Sequence, residues 1–114
     1  MRISSYSFGK LVCTGKAYSS DLIIYPGKVD DLWWRDQSHL LAWKDIEEII
    51  TAEPEVLVVG TGQFGMMKVE EGLTERLKAE GIELLVARTK EACELFNKYS
   101  KEGKRVIGAF HLTC

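Results

Sequence analysis

Residues 56–65 have the sequence Val56-Leu57-Val58-Val59-Gly60-Thr61-Gly62-Gln63-Phe64-Gly65. The first four residues are apolar and three of them are β-branched, which predicts a short strand buried on both faces of a sheet. The glycines that follow let the backbone turn sharply, or approach another group where a side chain would collide. Ligands of open α/β sheets bind beyond the carboxyl ends of such strands. This stretch therefore predicts an α/β fold with a candidate ligand loop at one edge of the sheet.

Helices and strands are predicted to alternate through the remainder of the chain. Apolar residues recur at three- and four-residue spacing in the helical segments, and the strand segments are predominantly apolar. The predicted elements are, in order, a helix with Trp43, Ile46, Ile49 and Ile50 on one face that ends before Pro54, the strand Val56–Val59, a helix starting at Val69 or Glu70 and ending at Gly81, the strand Ile82–Ala87, a helix capped by Thr89 and ending at Gly103, and the strand Val106–Phe110. With parallel strands, the glycine loop, Arg88 and the segment His111–Cys114 would meet at one edge.

The first third of the chain is rich in short β-prone runs instead. Glycines and a Pro-Gly pair separate them, as turns between antiparallel strands do. The four predicted strands are Ile3–Phe8, Lys10–Thr14, Asp21–Tyr25 and Val29–Trp34. We expect a meander of hairpins ahead of the alternating part.

Composition sets limits on the class of protein. The chain has 114 residues, 46% of them hydrophobic, and a formal net charge of −2. This size fits a single domain, 1–114, and the charge provides no basic surface for nucleic acid. No apolar run is long enough to cross a bilayer, so no membrane partner is expected. The three cysteines form no disulfide or CxxC pattern, which favours a cytoplasmic protein.

The glycines of the loop have the spacing of the dinucleotide-binding fingerprint, Gly60-x-Gly62-x-x-Gly65, but the residues around them do not fit it. The residues after the loop are poor helix formers, and Ala87-Arg88 stands where that fingerprint expects an acidic residue. Two interpretations remain open: a small anion held by backbone N–H groups with Arg88 nearby, or a tight turn beside crowded backbone. The candidate ligand-binding residues in and near the loop are Gly60, Thr61, Gly62, Gln63 and Arg88.

His111 and Cys114 stand three residues apart and raise the question of a metal or nucleophile site. A metal needs three or four ligands, and the only other histidine, His39, lies in a polar loop. We therefore expect no metal site, no catalytic residue and no cofactor, and we expect His111 to be a hydrogen-bonded anchor. Cys13 and Cys93 are expected to be packing residues, and a thiol-redox role for Cys114 is a lesser hypothesis.

Trp33 and Trp34 are adjacent, so in a strand they point to opposite faces. One of them should then lie at the surface or under another element, such as the loop that follows. Because exposed tryptophan is enriched at interfaces, Trp33 and Trp34 are the candidate partner-binding residues.

Five short motifs resemble the MTH-type domain family, whose members include an adipogenesis-associated MTH-domain-containing protein and, more distantly, a mitochondrial complex I assembly factor. They are Ser7-Phe8-Gly9, Asp21-Leu22-Ile23-Ile24-Tyr25-Pro26, Val59-Gly60-Thr61-Gly62, Thr89-x-x-Ala92 and His111-Leu112-Thr113-Cys114. The resemblance implies a three-layer α/β fold with a central mixed sheet and an extra β layer, and no established activity or cofactor. In a mixed sheet the last strand could run antiparallel, which would remove His111 from the loop's edge. By matching to the family's motifs, His111, Thr113 and Cys114 join the candidate ligand-binding residues.

These observations favour a non-enzymatic cytoplasmic domain that acts in protein interaction, assembly or regulation, with an unidentified protein partner or a second copy of itself. The alternative is a small-molecule or anion-binding protein, or an enzyme, that uses the glycine loop.

Overall fold

A computed structural model describes all residues, 1–114, as three helices and ten strands. The strands are β1 Ile3–Ser7, β2 Lys10–Cys13, β3 Lys16–Tyr18, β4 Leu22–Ile24, β5 Val29–Asp30, β6 Leu40–Leu41, β7 Val56–Thr61, β8 Lys68–Val69, β9 Glu83–Ala87 and β10 Val106–His111. The α-helices are α1 Glu47–Thr51, α2 Leu73–Ala79 and α3 Thr89–Lys101, and a 3₁₀ turn, Trp43–Ile46, precedes α1.

The central sheet is five-stranded and mixed, in the order β5-β4-β10-β7-β9. Strands β10, β7 and β9 are parallel, and the connections between them pass through α2 and α3, as βαβ units require. Strand β4 pairs antiparallel with β10. The sheet is therefore mixed because of β4, and the last strand keeps the parallel direction that brings His111 to the loop's edge.

The predicted N-terminal hairpin layer is confirmed: the predicted strands Ile3–Phe8 and Lys10–Thr14 correspond to β1 and β2 of a separate antiparallel sheet, β1-β2-β3. The sequence pattern does not predict β3, and the other two predicted strands of this third correspond to β4 and β5, which belong to the central sheet instead. The two turns of the β1-β2-β3 sheet pass through Gly9 and Gly15, at φ of +76° and +79°, which is the left-handed region that glycine enters without steric cost. This sheet packs with α3 on one side of the central sheet.

The core is divided by the central sheet, which confirms a three-layer fold. Leu57 and Val59 of β7 face α1 and α2, where they pack with Ile49, Leu73 and Leu77. Val56 and Val58 face the other way, into a cluster that includes Leu11 of β2 and Phe96 of α3. All four β7 side chains are buried, as the apolar run predicts.

Three predicted elements differ markedly from the structure. Helix α2 begins at Leu73 rather than Val69 or Glu70, because Val69 belongs to β8 and Gly72 precedes the helix at φ +83°. The first predicted helix is split into the 3₁₀ turn and α1. The strand predicted to reach Trp34 stops at Asp30, whose carboxylate accepts a hydrogen bond from the Leu32 N–H (3.0 Å) and turns the chain.

None of the helices has the length and apolar content needed to cross a lipid bilayer.

Candidate functional site

The carboxyl ends of β7, β9 and β10 meet at one edge of the sheet. In register, Thr61 of β7 lies opposite His111 of β10, and Gly60 lies opposite Ala87 of β9. The predicted convergence of the glycine loop, Arg88 and the segment from His111 onward is therefore present in the fold.

Residues 113 and 114 cover the glycine loop. The Gln63 N–H donates to the Thr113 carbonyl (2.7 Å), and the Met66 N–H donates to the Cys114 carbonyl (3.0 Å). A Cβ atom on Gly62 would lie 2.3 Å from the Cys114 carbonyl carbon. The loop is thus a tight turn beside crowded backbone, and the N–H groups of Gln63 and Met66 are already bonded within the protein. Ligand binding by these residues stays a prediction.

Thr89 joins the loop to β10. Its hydroxyl donates to the His111 carbonyl (2.6 Å) and accepts from the Gly62 N–H (2.8 Å), and the residue is fully buried. The prediction that Thr89 caps α3 is wrong, since Arg88 holds the cap position and makes no side-chain cap bond. The hydroxyl instead satisfies two buried backbone groups.

Four of the eight candidate ligand-binding residues, Gly60, Thr61, Gly62 and His111, are buried. Gln63, Arg88 and Thr113 are exposed, and Cys114 is half-buried. Gln63 and Arg88 line one groove of about 450 Å³ together with Phe8 and Lys90. Arg88 also lies beside Gly65, whose Cβ position is 3.6 Å from the arginine Nε.

A buried ionic cluster holds the end of β10. The Asp21 carboxylate accepts from the Arg35 Nη2 (2.8 Å), from the Leu112 N–H (2.8 Å) and from the His111 Nδ1 (2.7 Å). Arg35 is 6% exposed and His111 is 4% exposed. Burying the charge of Arg35 is tolerated because it is paired with Asp21. His111 is therefore the hydrogen-bonded anchor that the sequence predicts.

Electrostatics within the cluster favour the ionised Asp21. Burial alone would raise its pKa, but the hydrogen bonds from His111, the Leu112 N–H and Arg35 together outweigh it, so the pKa of Asp21 lies below its ordinary value. The carboxylate orients the imidazole, leaving Nε2 buried with no hydrogen-bond partner in the protein. The rings of His39 and His111 pack edge to face, with their centroids 5.5 Å apart.

Sequence reasoning missed Asp21 and Arg35 as members of this cluster. Both lie beside strongly apolar segments, Leu22–Ile24 and Trp33-Trp34. A charged residue flanking a buried segment often requires a charged partner, and that was the available signal.

The two adjacent tryptophans separate as predicted. Trp33 is buried, and its Nε1 donates to the Asp45 carbonyl (3.1 Å) while the Arg35 guanidinium stacks on its ring at 4.5 Å. Trp34 is 76% exposed, and Leu32 is 84% exposed. Anchoring Trp33 inside therefore turns both neighbours outward.

These outward residues border an acidic groove of about 380 Å³, which we call the Trp34 groove. Its lining consists of Ile23, Asp30, Leu32, Trp33, Trp34, Lys44, Asp45, Glu47, Glu48 and Ile49. The only cation, Lys44, is paired with Asp36. Burial, and then the carboxylates of Glu48 and Asp30, raise the pKa of the adjacent Tyr25. The local potential is therefore negative.

The cysteines differ in accessibility, which gives a first prediction. Burial, with smaller contributions from Cys13 and Glu94, raises the pKa of Cys93 to about 12, so it is a thiol at neutral pH. We expect iodoacetamide to modify Cys114 alone in the folded protein and all three cysteines in urea, measured by mass spectrometry of peptides. Early modification of Cys93 would contradict this packing.

Comparison with known proteins agrees with the fold. A family described as "Protein of unknown function (DUF498/DUF598)" matches residues 3–111. The conserved hypothetical protein PH1505 from Pyrococcus horikoshii is 27% identical, with 100% of both chains covered and a TM-score of 0.83. The structure titled MT938 is 23% identical, covers 99% of this chain and 98% of its own, and gives a TM-score of 0.81.

A third solved structure is a Bordetella pertussis protein described as a Mth938-like domain. It is 19% identical, with 97% of this chain and 85% of the other covered and a TM-score of 0.61. At that identity the likeness shows the fold alone. Together with the family match over residues 3–111, it confirms the MTH-type resemblance, and the chain belongs to the DUF498/DUF598 family of proteins of unknown function.

Proposed function

We propose that this domain is a non-enzymatic protein-interaction module that binds a basic, apolar segment of a partner protein in the Trp34 groove. One observation carries the proposal: Trp34 and Leu32 are exposed beside a groove whose rim has four carboxylates, Asp30, Asp45, Glu47 and Glu48. Large apolar side chains exposed in this way cost solvation free energy unless a partner covers them.

The chemistry of the groove specifies the partner. Lysine and arginine side chains would pair with the rim carboxylates and stack on the Trp34 ring, while an apolar side chain would contact Leu32. Because Lys44 forms an ion pair with Asp36, the groove has no unpaired cation that would repel a basic segment. The proposal places the domain in the cytoplasm, where Cys13 and Cys93 would remain the free thiols that they are here.

The test uses two capped peptides, Arg-Leu-Lys-Leu-Arg and its acidic counterpart Glu-Leu-Glu-Leu-Glu, with tryptophan fluorescence and titration calorimetry. We expect the basic peptide alone to bind, with a blue shift of the emission as Trp34 is covered, and with affinity that falls as salt rises. Trp34→Ala should weaken binding at least about 30-fold, the effect of losing a central aromatic contact.

Two further variants distinguish this site from general electrostatic attraction. The double variant Glu47→Lys/Glu48→Lys should reverse the preference between the two peptides. Phe8→Ala, which removes an exposed aromatic outside the groove, should leave the affinity unchanged. Equal binding of both peptides, or binding that Trp34→Ala leaves intact, would refute the proposal.

Binding of a small anion at the glycine loop is the alternative function. Arg88, Gln63 and Lys90 in one groove support it, but the Gly62, Gln63 and Met66 N–H groups already donate to Thr89, Thr113 and Cys114. Thermal stabilisation by inorganic phosphate that Arg88→Ala abolishes would favour this alternative.

A further inference from the structure

The central sheet has two edge strands, β5 and β9. Strand β9, Glu83–Ala87, pairs with β7 on one side and has no strand on the other. The Glu83 N–H donates to the Glu55 carbonyl (3.0 Å) on the β7 side. Because alternate residues of a strand direct their backbone groups to opposite sides, Leu85 and Ala87 also bond toward β7. The N–H and C=O groups of Leu84 and Val86 therefore point away from the sheet, where an added strand would pair with them.

Exposed apolar side chains accompany this free edge. Val86 is 44% exposed, and with Phe64 it lines a groove of about 520 Å³ at the carboxyl end of β9. A second groove, of about 500 Å³, lies at the other end of the strand beside Ile82 and Leu84. An extended segment along β9 would thus find backbone partners in the middle and a place for an apolar side chain at each end.

The charges along the edge are mainly positive. Lys68 and Arg88 line the groove beside Val86, and Lys78 lines the groove beside Leu84, where Glu83 is the only acidic residue. A two-fold pairing of β9 with a second copy would place Leu84 opposite the partner's Val86. Lys78 would then face the partner's Lys68 and the partner's Arg88, and these like charges disfavour self-pairing.

We propose that the β9 edge is a second docking site, which takes an extended, acid-flanked segment of another protein as an additional strand of the central sheet. Backbone hydrogen bonds to Leu84 and Val86 hold the segment, and its acidic ends pair with Lys68, Arg88 and Lys78. The Trp34 groove includes Asp30 of β5, which forms the other edge of the same sheet. The two sites are separate, so one domain can hold two chains at once.

The test measures amide hydrogen exchange by NMR with the capped peptide Glu-Thr-Val-Thr-Val-Thr-Glu, and with a matched peptide that has lysine at both ends. At saturation the acidic peptide should slow exchange of the Leu84 and Val86 amides at least about tenfold. The Leu85 and Ala87 amides, already bonded to β7, should change little. The lysine peptide should have no such effect.

Variants on exposed residues assign the contacts without threatening the fold. Lys68→Glu/Lys78→Glu should make the protein prefer the lysine peptide, and Trp34→Ala should leave binding at β9 unchanged. If the Trp34 groove peptides do not bind, the result at β9 is unaffected. The two proposals can therefore be refuted independently. Equal binding of both strand peptides, or an unchanged Val86 amide, would overturn the proposal. A dimer without peptide, detected by sedimentation, whose Leu84 and Val86 amides are protected from exchange would also overturn it. A second copy of the chain would then occupy the edge.

Discussion

Replacing Gly62 by alanine is expected to lower the free energy of unfolding by roughly 3 to 5 kcal/mol, from backbone strain combined with overpacking. Gly62 has φ +100°, where an L side chain is strained. The new Cβ would also lie 2.3 Å from the Cys114 carbonyl carbon and 2.9 Å from the His111 Cδ2. Backbone and a buried ring cannot move aside cheaply, so the loop and residues 113–114 must separate. Urea denaturation measures the loss.

Gly15→Ala is the matched control for backbone strain alone. Gly15 has φ +79° and nothing within 4 Å of its Cβ position, so the substitution should cost only about 1–2 kcal/mol. In Gly62→Ala, the Gln63 and Met66 amides should also exchange faster, because their acceptors are the Thr113 and Cys114 carbonyls. Equal losses for the two variants would mean that residues 113–114 do not seal the loop.

The architecture follows from patterns that are local in the sequence. Burial of β7 on both faces leaves four apolar residues in a row, and helices on a sheet leave apolar residues at three- and four-residue spacing. Strands β6 and β8 are not predicted by such local patterns. Each is only two residues long, and they pair Leu40 with Lys68 across a long stretch of chain, so neither has a pattern of its own. Their pairing nevertheless decides where α2 can begin.

The candidate sites were only partly predictable. Alternation at Trp33-Trp34 indicates that one ring is exposed, but the choice of ring depends on the Asp45 carbonyl that accepts from Trp33. The glycines after β7 indicate close approach without naming what approaches. Residues 113 and 114, far along the chain, fill that space. The partner that occupies such a loop is set by tertiary structure, which the sequence pattern does not contain.

Asp21→Asn is expected to lower the free energy of unfolding by about 3 kcal/mol at neutral pH, because it leaves the buried Arg35 without its counter-charge. The amide keeps the shape of the side chain but loses the charge-assisted bonds to Arg35 and His111. Asp36→Asn is the matched control. Asp36 pairs with Lys44 at the exposed surface, and its loss should not measurably change stability.

The effect of Asp21→Asn should also depend on pH. The folded-state pKa of Asp21 lies below its ordinary 3.8, so the unfolded chain takes up a proton first as pH falls. The stability that this carboxylate contributes is therefore complete well above pH 3.8 and is lost as pH falls through the folded value. Urea denaturation of both proteins from neutral pH downward should show the stability gap narrowing below about pH 4. Other carboxylates titrate in both proteins and cancel in the difference. A gap that stays constant or widens in acid would mean that Asp21 is not held ionised by Arg35 and His111.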